Sequence, residues 1–391
     1  MTPSTVSSAR PRSLGLTFAF AAWLGLSAPR ARAENALTYK YEDYSEASDR
    51  IAVTTQSALL EQDLGHDFRL KLQGVTDAIV GATPNGQPAP AGSDQVVLTH
   101  ISERRHEWSL DLSRQLALWN LAASYANSRE SDYHSQGWSL NALGHFNEKN
   151  TTLLLGVGGT SDDVKVFYQA PWVRKRSLDL AAGVTQLLDA NTSIAFNLSL
   201  SRATGYLNDQ YKLVQKSIEV GPGVFLPFTF GENRPDERTK WIALASVNRA
   251  LPSAAAAIEA SYRFYHDTFG TSSHTVDFSW LQKLGARLVL IPHLRLYTQS
   301  AADFYYYRLD GTNITPTGGA PRSGGPFYSS DYRLSELRST TLALKAVATL
   351  SLRWQLDAEL ARYDMHGRDR VTPASAYPRA NIVTLGARFS W

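Results

Sequence analysis

The chain has 391 residues, no cysteine and a formal net charge of +3. The absence of cysteine excludes disulfides, thiolate nucleophiles and cysteine-ligated metal sites. Beyond the N-terminus, no apolar run approaches the roughly 18 residues that a membrane-spanning helix needs. Any part of the chain that spans a membrane would therefore have to do so with strands.

Residues 1–33 have the features of a secretory signal peptide. Arg10 and Arg12 precede an apolar segment at 14–26, and an Ala-Arg-Ala triplet follows that suits cleavage. A membrane anchor is the alternative, but about 13 apolar residues are too few to span comfortably. Cleavage removes four arginines and no acid, so the net charge of +3 becomes −1 for the mature domain, 34–391. The basic character thus belongs largely to the leader, and nucleic-acid binding loses its main support.

The rest of the chain repeats one pattern, in which apolar and polar residues alternate over about ten positions. In chain order, the clearest examples are at 37–42, 68–73, 107–112, 119–125, 138–142, 193–201, 258–265, 353–360 and 381–391. A lipid-facing wall around a wet lumen requires this alternation, and the last segment ends on the aromatic Trp391, as closing strands of outer-membrane barrels do. At 353–359 four successive inward positions are polar or charged, which a dry interior would not tolerate. An edge strand of a soluble sandwich would explain one such segment but not the recurrence.

The connections between these segments alternate in length. Short turns are predicted at 64–67, 113–117, 147–150, 189–191, 251–253, 283–286 and 351–352, and longer connections at 77–97, 162–176, 204–239, 299–334 and 367–378. Two further links, near 129–132 and 267–271, are short as well. Short periplasmic turns and long external loops are typical of transmembrane barrels. The sequence therefore predicts an all-β transmembrane antiparallel β-barrel of about 16 strands (roughly 14–18), with both termini in the periplasm.

Five stretches carry distinctive motifs: 77–84, 234–239, 262–267, 274–276 and 292–305, the last of which reads Pro-His-Leu-Arg-Leu-Tyr-Thr-Gln-Ser-Ala-Ala-Asp-Phe-Tyr. Together they resemble a family of Gram-negative outer-membrane barrels known only as a domain of unknown function. Val80 stands where that family usually has a small, serine-like residue. The resemblance implies a barrel in the cell outer membrane, and it implies no established activity, substrate or catalytic residue.

Charged residues with inward parity are the candidate pore lining: Glu259, Arg263, Asp277, Arg295, Arg353, Asp357 and Glu359. Such a lining could select or guide a polar solute. The alternative is an ion-pair network that holds the wall together, since buried charges usually find partners.

Loop residues form a second set of candidates: Arg234, Asp236 and Arg238 in one group, and Gln299, Asp303 and Tyr305 in another. Either group could belong to a segment that folds into or over the pore. The first group equally suits a solvated surface. The second leads into the glycine-rich stretch 311–325, which equally suits a mobile external loop.

Catalysis has weaker support. Ser272, Ser273, His274 and Asp277 lie close in sequence, as a hydrolase at the barrel rim would need. In a strand, however, His274 and Asp277 have opposite parity and point apart unless a bulge intervenes. The chain has no G-x-S-x-G, H-E-x-x-H or P-loop motif, and its histidines are scattered. We therefore predict no catalytic residue, no metal site and no cofactor.

Three functions remain open. The first is a porin-like conduit for a small polar or amphipathic solute, the second a structural barrel that anchors a periplasmic or surface partner, and the third a rim hydrolase. The number of inward charges in complementary pairs should separate the first two. The expected partners are outer-membrane lipid and, through residues 381–391, the barrel-assembly machinery.

Overall fold

A computed structural model describes residues 35–48, 50–166 and 171–391. Sixteen antiparallel strands close into one barrel, and two further strands form a separate hairpin. The predicted barrel and its strand number are confirmed. Residues 1–33, the predicted signal peptide, lie outside the described residues. No helix in the described ranges is long and apolar enough to cross a membrane.

The strands follow one another around the barrel with a single detour. They are β1 (Ala36–Glu46), β2 (Ala52–Gly65), β3 (Phe68–Pro84), β4 (Leu98–Leu116), β5 (Trp119–Arg129), β6 (Tyr133–Phe146), β7 (Thr151–Val164), β8 (Val173–Asp189), β9 (Thr192–Gly205), β10 (Leu213–Gly221), β11 (Val224–Gly231), β12 (Glu237–Leu251), β13 (Ala256–Asp267), β14 (Ser272–Leu284), β15 (Leu288–Gln299), β16 (Leu337–Thr349), β17 (Trp354–Gly367) and β18 (Arg379–Ser390). The strand β9 pairs directly with β12, so β10 and β11 form the hairpin outside the wall. The barrel closes where β1 pairs with β18 in continuous register.

The connections separate into a short-turn end and a long-loop end. All seven predicted short turns join strands that pair as hairpins, as at the link between β2 and β3. There His66 and Asp67 adopt positive φ, which lets two residues reverse the chain. Because the strand number is even, Asn35, the first described residue, and Trp391 both lie at the short-turn end, and the long loops emerge at the opposite end. In transmembrane barrels these ends face the periplasm and the exterior, respectively.

Side chains alternate across the wall as the sequence predicts. On β17, Leu356 and Leu360 are exposed on the outer surface, while Asp357 and Glu359 face inward and are partly covered. Leu140 shows the same outward exposure on the far side of the barrel. A closed barrel with an apolar outer wall and a polar lumen is the arrangement in which strands cross a bilayer, because lipid covers the apolar wall and every backbone polar group is paired. The protein is an outer-membrane β-barrel.

Aromatic rings mark the boundaries of the apolar wall. At the short-turn end, Phe389 lies 4.9 Å from Trp354 and 5.9 Å from Trp391, measured between ring centroids. Toward the long-loop end, Trp241 stacks on His266 at 5.8 Å. Amphipathic rings favour the two membrane–water interfaces, so these contacts fix the height of the barrel in the bilayer.

Candidate functional site: the cap and the lumen beneath it

Four long connections fold together at the long-loop end, and we call this structure the cap: residues 85–97, 206–236, 300–336 and 368–378. Hydrogen bonds join the segments in pairs: Leu213 N to Asn85 O at 2.7 Å, Val96 N to Ser375 Oγ at 3.2 Å, Leu309 N to Gln215 O at 2.9 Å, and Tyr328 N to Asn233 O at 2.8 Å. The loops are therefore one folded unit rather than four independent segments.

An apolar core seats the cap on the inner face of the wall. One cluster of buried cap residues and strand ends consists of Val96, Tyr332, Leu337, Ala376 and Tyr377. It packs against Tyr297 of β15 and Met365 of β17, whose side chains point into the lumen. The cap thus enters the mouth of the barrel on the side of β15 and β17, and does not only lie above it.

A buried cluster of charges holds the cap segments to one another. Arg234 is 1% exposed, and its Nε lies 2.6 Å from Glu232 Oε1 while its Nη2 lies 2.9 Å from Asp331 Oδ2. Arg333 Nη2 reaches Asp331 Oδ2 at 2.5 Å and Asp209 Oδ2 at 2.6 Å. Removing one partner from a buried ion pair is strongly destabilising. The cluster therefore favours a single arrangement of the loops.

Burial shifts the pKa values of several groups in this cluster. It raises the pKa of Glu232 to about 7 and lowers the pKa of Lys212 to about 8. Burial alone would also raise the pKa of Asp331, but Arg333, Lys212 and Arg234 hold it well below its usual range. Glu232 is thus the acid of the cluster whose charge changes near neutral pH.

Gln299 ties the cap to the wall. It is the last residue of β15, and its Nε2 donates to Arg333 O at 2.9 Å and to Ser335 O at 2.8 Å. Its Oε1 accepts a hydrogen bond from the Tyr297 hydroxyl at 2.6 Å. The amide nitrogen and oxygen of Gln299 and the hydroxyl of Tyr297 thus all form hydrogen bonds. Because two of these bonds end on Arg333 and Ser335, they hold the short 3-10 helix Tyr332–Leu334 against the lumen wall.

Beneath the cap, the described residues enclose two polar cavities that meet at Arg238. The larger, about 180 Å³, is lined by residues 206–211 of the cap and by inward residues of β4 to β9 and β12. The smaller, about 170 Å³, we call the arginine cavity, and it is lined by Arg238, Ile242, Arg263, Tyr265, Thr271, Ser273, Tyr297, Gln299, Arg333 and Leu334. Arg238 itself pairs with Asp267, with Nε 2.7 Å from Oδ2.

Six of the seven candidate pore-lining charges lie on the inner face of the wall: Glu259, Arg263, Asp277, Arg295, Asp357 and Glu359. Arg353 instead lies exposed in the turn before β17, because that strand begins one residue later, at Trp354. The structure brings together Asp277 and Arg295 at 3.4 Å. It also brings Asp357 within 3.5 Å of Lys345, a residue that the sequence pattern did not single out.

The loop candidates have different surroundings. Arg234 is buried in the charge cluster, whereas Asp236 and Asp303 are exposed. Arg238 is on the inner wall, and Tyr305 lies in the cap, where its hydroxyl contacts Thr372.

Most of the charge cluster was not identified in the sequence: Asp209, Lys212, Glu232, Asp331 and Arg333. Arg234 and Asp331 are 97 positions apart, so no local spacing could have indicated their contact.

The residues considered for a rim hydrolase are not assembled. His274 faces outward, where its Nδ1 lies 2.6 Å from the Tyr262 hydroxyl. Ser273 faces inward and is buried, and Asp277, also inward, contacts Arg295 and His293. The expected opposite directions of His274 and Asp277 are therefore observed.

A family model described as "Protein of unknown function (DUF3570)" matches residues 94–175 and 168–377. The chain belongs to this family. The DUF3570 match spans most of the cap, the residues that line both cavities and all the strands that form the arginine cavity. No curated protein matches the sequence.

Three solved structures are similar to this chain at low sequence identity. CdiB from Acinetobacter baumannii is 10% identical with a TM-score of 0.51, over 93% of this chain and 61% of CdiB. A bacterial polysaccharide outer membrane secretin is 10% identical with a TM-score of 0.48, over 93% of this chain and 100% of the secretin. The siderophore receptor PirA from Pseudomonas aeruginosa is 12% identical with a TM-score of 0.46, over 92% of this chain and 62% of PirA. At such identities the similarity to CdiB supports the barrel fold of this DUF3570 member and nothing finer.

Proposed function

We propose that the protein is a porin-like conduit for a small polar or amphipathic solute, and that the cap restricts passage. The observation that carries this proposal is the exposure of inward charges beneath the cap. The side chain of Arg295 is 42% exposed although it faces the lumen, and Asp277 beside it is 28% exposed. Charged groups in this position need water around them, which favours a hydrated lumen rather than a packed one.

The cap is suited to restrict the passage of solute because noncovalent contacts, which can break and form again, hold it against the wall. Its charge cluster joins loop segments, and its contacts with the wall are noncovalent as well, as at Gln299, Tyr297 and Met365 and where Lys212 Nζ donates to Pro84 O of β3. The barrel wall closes through its own strand pairing, without help from the cap. Displacement of the cap would therefore leave the wall intact, which is the arrangement that a gated or constricted conduit needs.

The alternative is a structural barrel that anchors a periplasmic or surface partner. It is favoured by the number of inward charges in complementary pairs: Lys345 with Asp357, Arg388 with Glu61, Arg105 with Asp77, and Lys175 with Asp162. Such pairs brace a wall whether or not solute passes through it. Conduction separates the two functions.

The deciding experiment is the conductance of the purified, detergent-solubilised protein in planar bilayers. We expect a small, reproducible ion current from preparations that show heat-modifiable mobility on a gel, the sign of a folded barrel. A folded preparation that passes no current contradicts the conduit. A protein captured reproducibly by the same sealed barrel would then support the structural alternative.

We also propose that the barrel-assembly machinery recognises residues 381–391. Nearly all of this segment lies in β18, the strand that closes the barrel against β1.

A further inference from the structure

The arginine cavity has an unusual set of charges. Three guanidinium groups line it, those of Arg238, Arg263 and Arg333, and its lining contains no carboxylate. The first comes from β12, the second from β13, and the third from the cap. A polar cavity lined by cations without acids attracts anions.

Two of these arginines are neutralised by neighbours outside the cavity. Arg238 pairs with Asp267, and Arg333 pairs with Asp209 and Asp331. Within the cap, the buried cations Lys212 and Arg234 and the half-buried Arg333 face an equal number of buried acids, Asp209, Glu232 and Asp331. The cap therefore brings no surplus negative charge to the cavity.

Arg263 is the uncompensated cation. Among the described residues, no carboxylate lies within 4.0 Å of its guanidinium, and its one hydrogen bond is a long one of 3.4 Å from Nη2 to Thr275 Oγ1. The carboxylate with an electrostatic effect on Arg263 is that of Asp277. This carboxylate already contacts Arg295 and His293. Most of the donor capacity of Arg263 is thus left for a ligand.

Small hydroxyl groups complete the lining. Thr271 is 4% exposed, and its Oγ1 has no hydrogen-bond partner in the described part of the chain. Ser273 and Tyr297 add two further hydroxyls at the same cavity. A buried hydroxyl without a hydrogen-bond partner is costly. The position of the Thr271 hydroxyl beside three guanidinium groups therefore points to a ligand in the arginine cavity that would form this missing hydrogen bond.

We propose that the arginine cavity binds a small oxyanion, a carboxylate or a phosphate group, with Arg263 as its principal contact. The planar fork of an arginine matches both groups and binds them through two parallel hydrogen bonds. The cavity, at about 170 Å³, is smaller than the pockets of drug-sized ligands. It therefore suits a small anion or the anionic group of a larger solute.

This inference deepens the proposed conduit by assigning its solute to a chemical class. It nevertheless concerns binding, which can be measured in detergent without a membrane. Anion binding without ion current would support the binding site and contradict the conduit. Ion current without anion binding would support the conduit and contradict the binding site. The two proposals can therefore fail separately.

The test is isothermal titration calorimetry of the detergent-solubilised full-length barrel at constant ionic strength. The titrants are sodium phosphate, sodium succinate and neutral succinamide. We expect one site for phosphate or for succinate and none for succinamide. The anion that binds identifies whether a phosphate or a carboxylate is recognised. Absence of saturable binding by either anion overturns the proposal.

Variants locate the binding. Arg263→Gln should weaken it about tenfold to hundredfold, because a charged hydrogen-bond donor is lost. Arg388→Gln is the matched control, since Arg388 also faces the lumen but pairs with Glu61 near the opposite end. It should bind as the unaltered protein does. Equal affinity of Arg263→Gln and Arg388→Gln overturns the assignment.

A conservative variant covers the case in which Arg263→Gln does not fold. Arg263→Lys keeps the charge but loses the fork, so it should bind more weakly than Arg388→Gln while retaining measurable affinity. Folding of each variant is checked by heat-modifiability. An affinity of Arg263→Lys equal to that of Arg388→Gln would show that the arginine fork is not recognised and would contradict the site.

Discussion

Replacement of Arg234 by alanine should loosen the cap while leaving the barrel wall intact. Arg234 lies between Glu232 and Asp331, and all three side chains are 1% exposed. Its removal leaves two buried carboxylates that have lost a shared cation. No wall strand contributes to this triad, since Glu232, Arg234 and Asp331 all belong to the cap. The effect should therefore appear in the cap.

The magnitude follows from the partners that remain. Losing one member of a buried ion pair costs about 3–5 kcal/mol. Here Asp331 keeps Arg333, and Glu232 keeps the Ser329 hydroxyl at 2.5 Å. Glu232 can also take up a proton, since its pKa is already raised to about 7. The lower end of the range applies, and about 3 kcal/mol corresponds to a roughly hundredfold larger population of displaced caps.

The assay is single-channel recording in planar bilayers. Arg234→Ala should show larger or more frequent open events than the unaltered protein. Arg202→Ala is the control, because Arg202 is 61% exposed and pairs with Glu237, also at the long-loop end. An exposed pair of this kind contributes about 0–1 kcal/mol, so this variant should conduct normally.

Identical recordings from Arg234→Ala and Arg202→Ala, with both barrels folded by heat-modifiability, would refute the reasoning. They would mean that the buried charges do not hold the cap in place or that the cap does not limit the current. Loss of heat-modifiability in Arg234→Ala would refute the separation between cap and wall.

Three further predictions concern pH, lipid contact and assembly. The raised pKa of Glu232 means that the closed cap binds a proton more readily than an open one, so closure is strongest below about pH 4.5 and weakens as pH rises through about 7. Conductance should therefore increase between pH 5 and 8, and Glu232→Gln should flatten that increase. Leu140→Arg places a charge on the lipid-facing surface in the middle of β6 and should lower the free energy of unfolding in liposomes by about 2–4 kcal/mol, measured by urea titration. Deletion of Trp391, which stacks on Phe389, should reduce the amount of folded barrel in outer-membrane fractions, and an unchanged amount would argue against recognition of the last strand.

The wall could be predicted from the sequence because its physical cause is local. Alternation of apolar and polar residues is a property of neighbours, and it gives the strands, the turns and the inward or outward direction of each side chain. This is why Asp357 and Leu356 were assigned to opposite faces. Arg353 was misplaced by the same rule, because alternation alone does not show where a turn ends and β17 begins.

The contacts that build the cap could not be predicted, because they join residues that are distant in sequence. Arg234 meets Asp331 from 97 positions away, and the hairpin of β10 and β11 lies inside what the sequence shows only as a long connection. Loop segments lack a period that would reveal which side is buried. The same holds for Arg263. Its inward direction could be predicted from the alternation, but the absence of a close acid depends on which residues β14 and the cap place beside it.

The most direct test of the central claim is the swelling rate of proteoliposomes placed in an isotonic solution of a small polar solute. The account predicts that vesicles with the folded barrel swell faster than empty vesicles, and that Arg234→Ala accelerates swelling further. If vesicles containing folded, heat-modifiable protein swell no faster than empty ones, and the Arg234→Ala barrel is equally impermeable, the protein is not a conduit restricted by its cap.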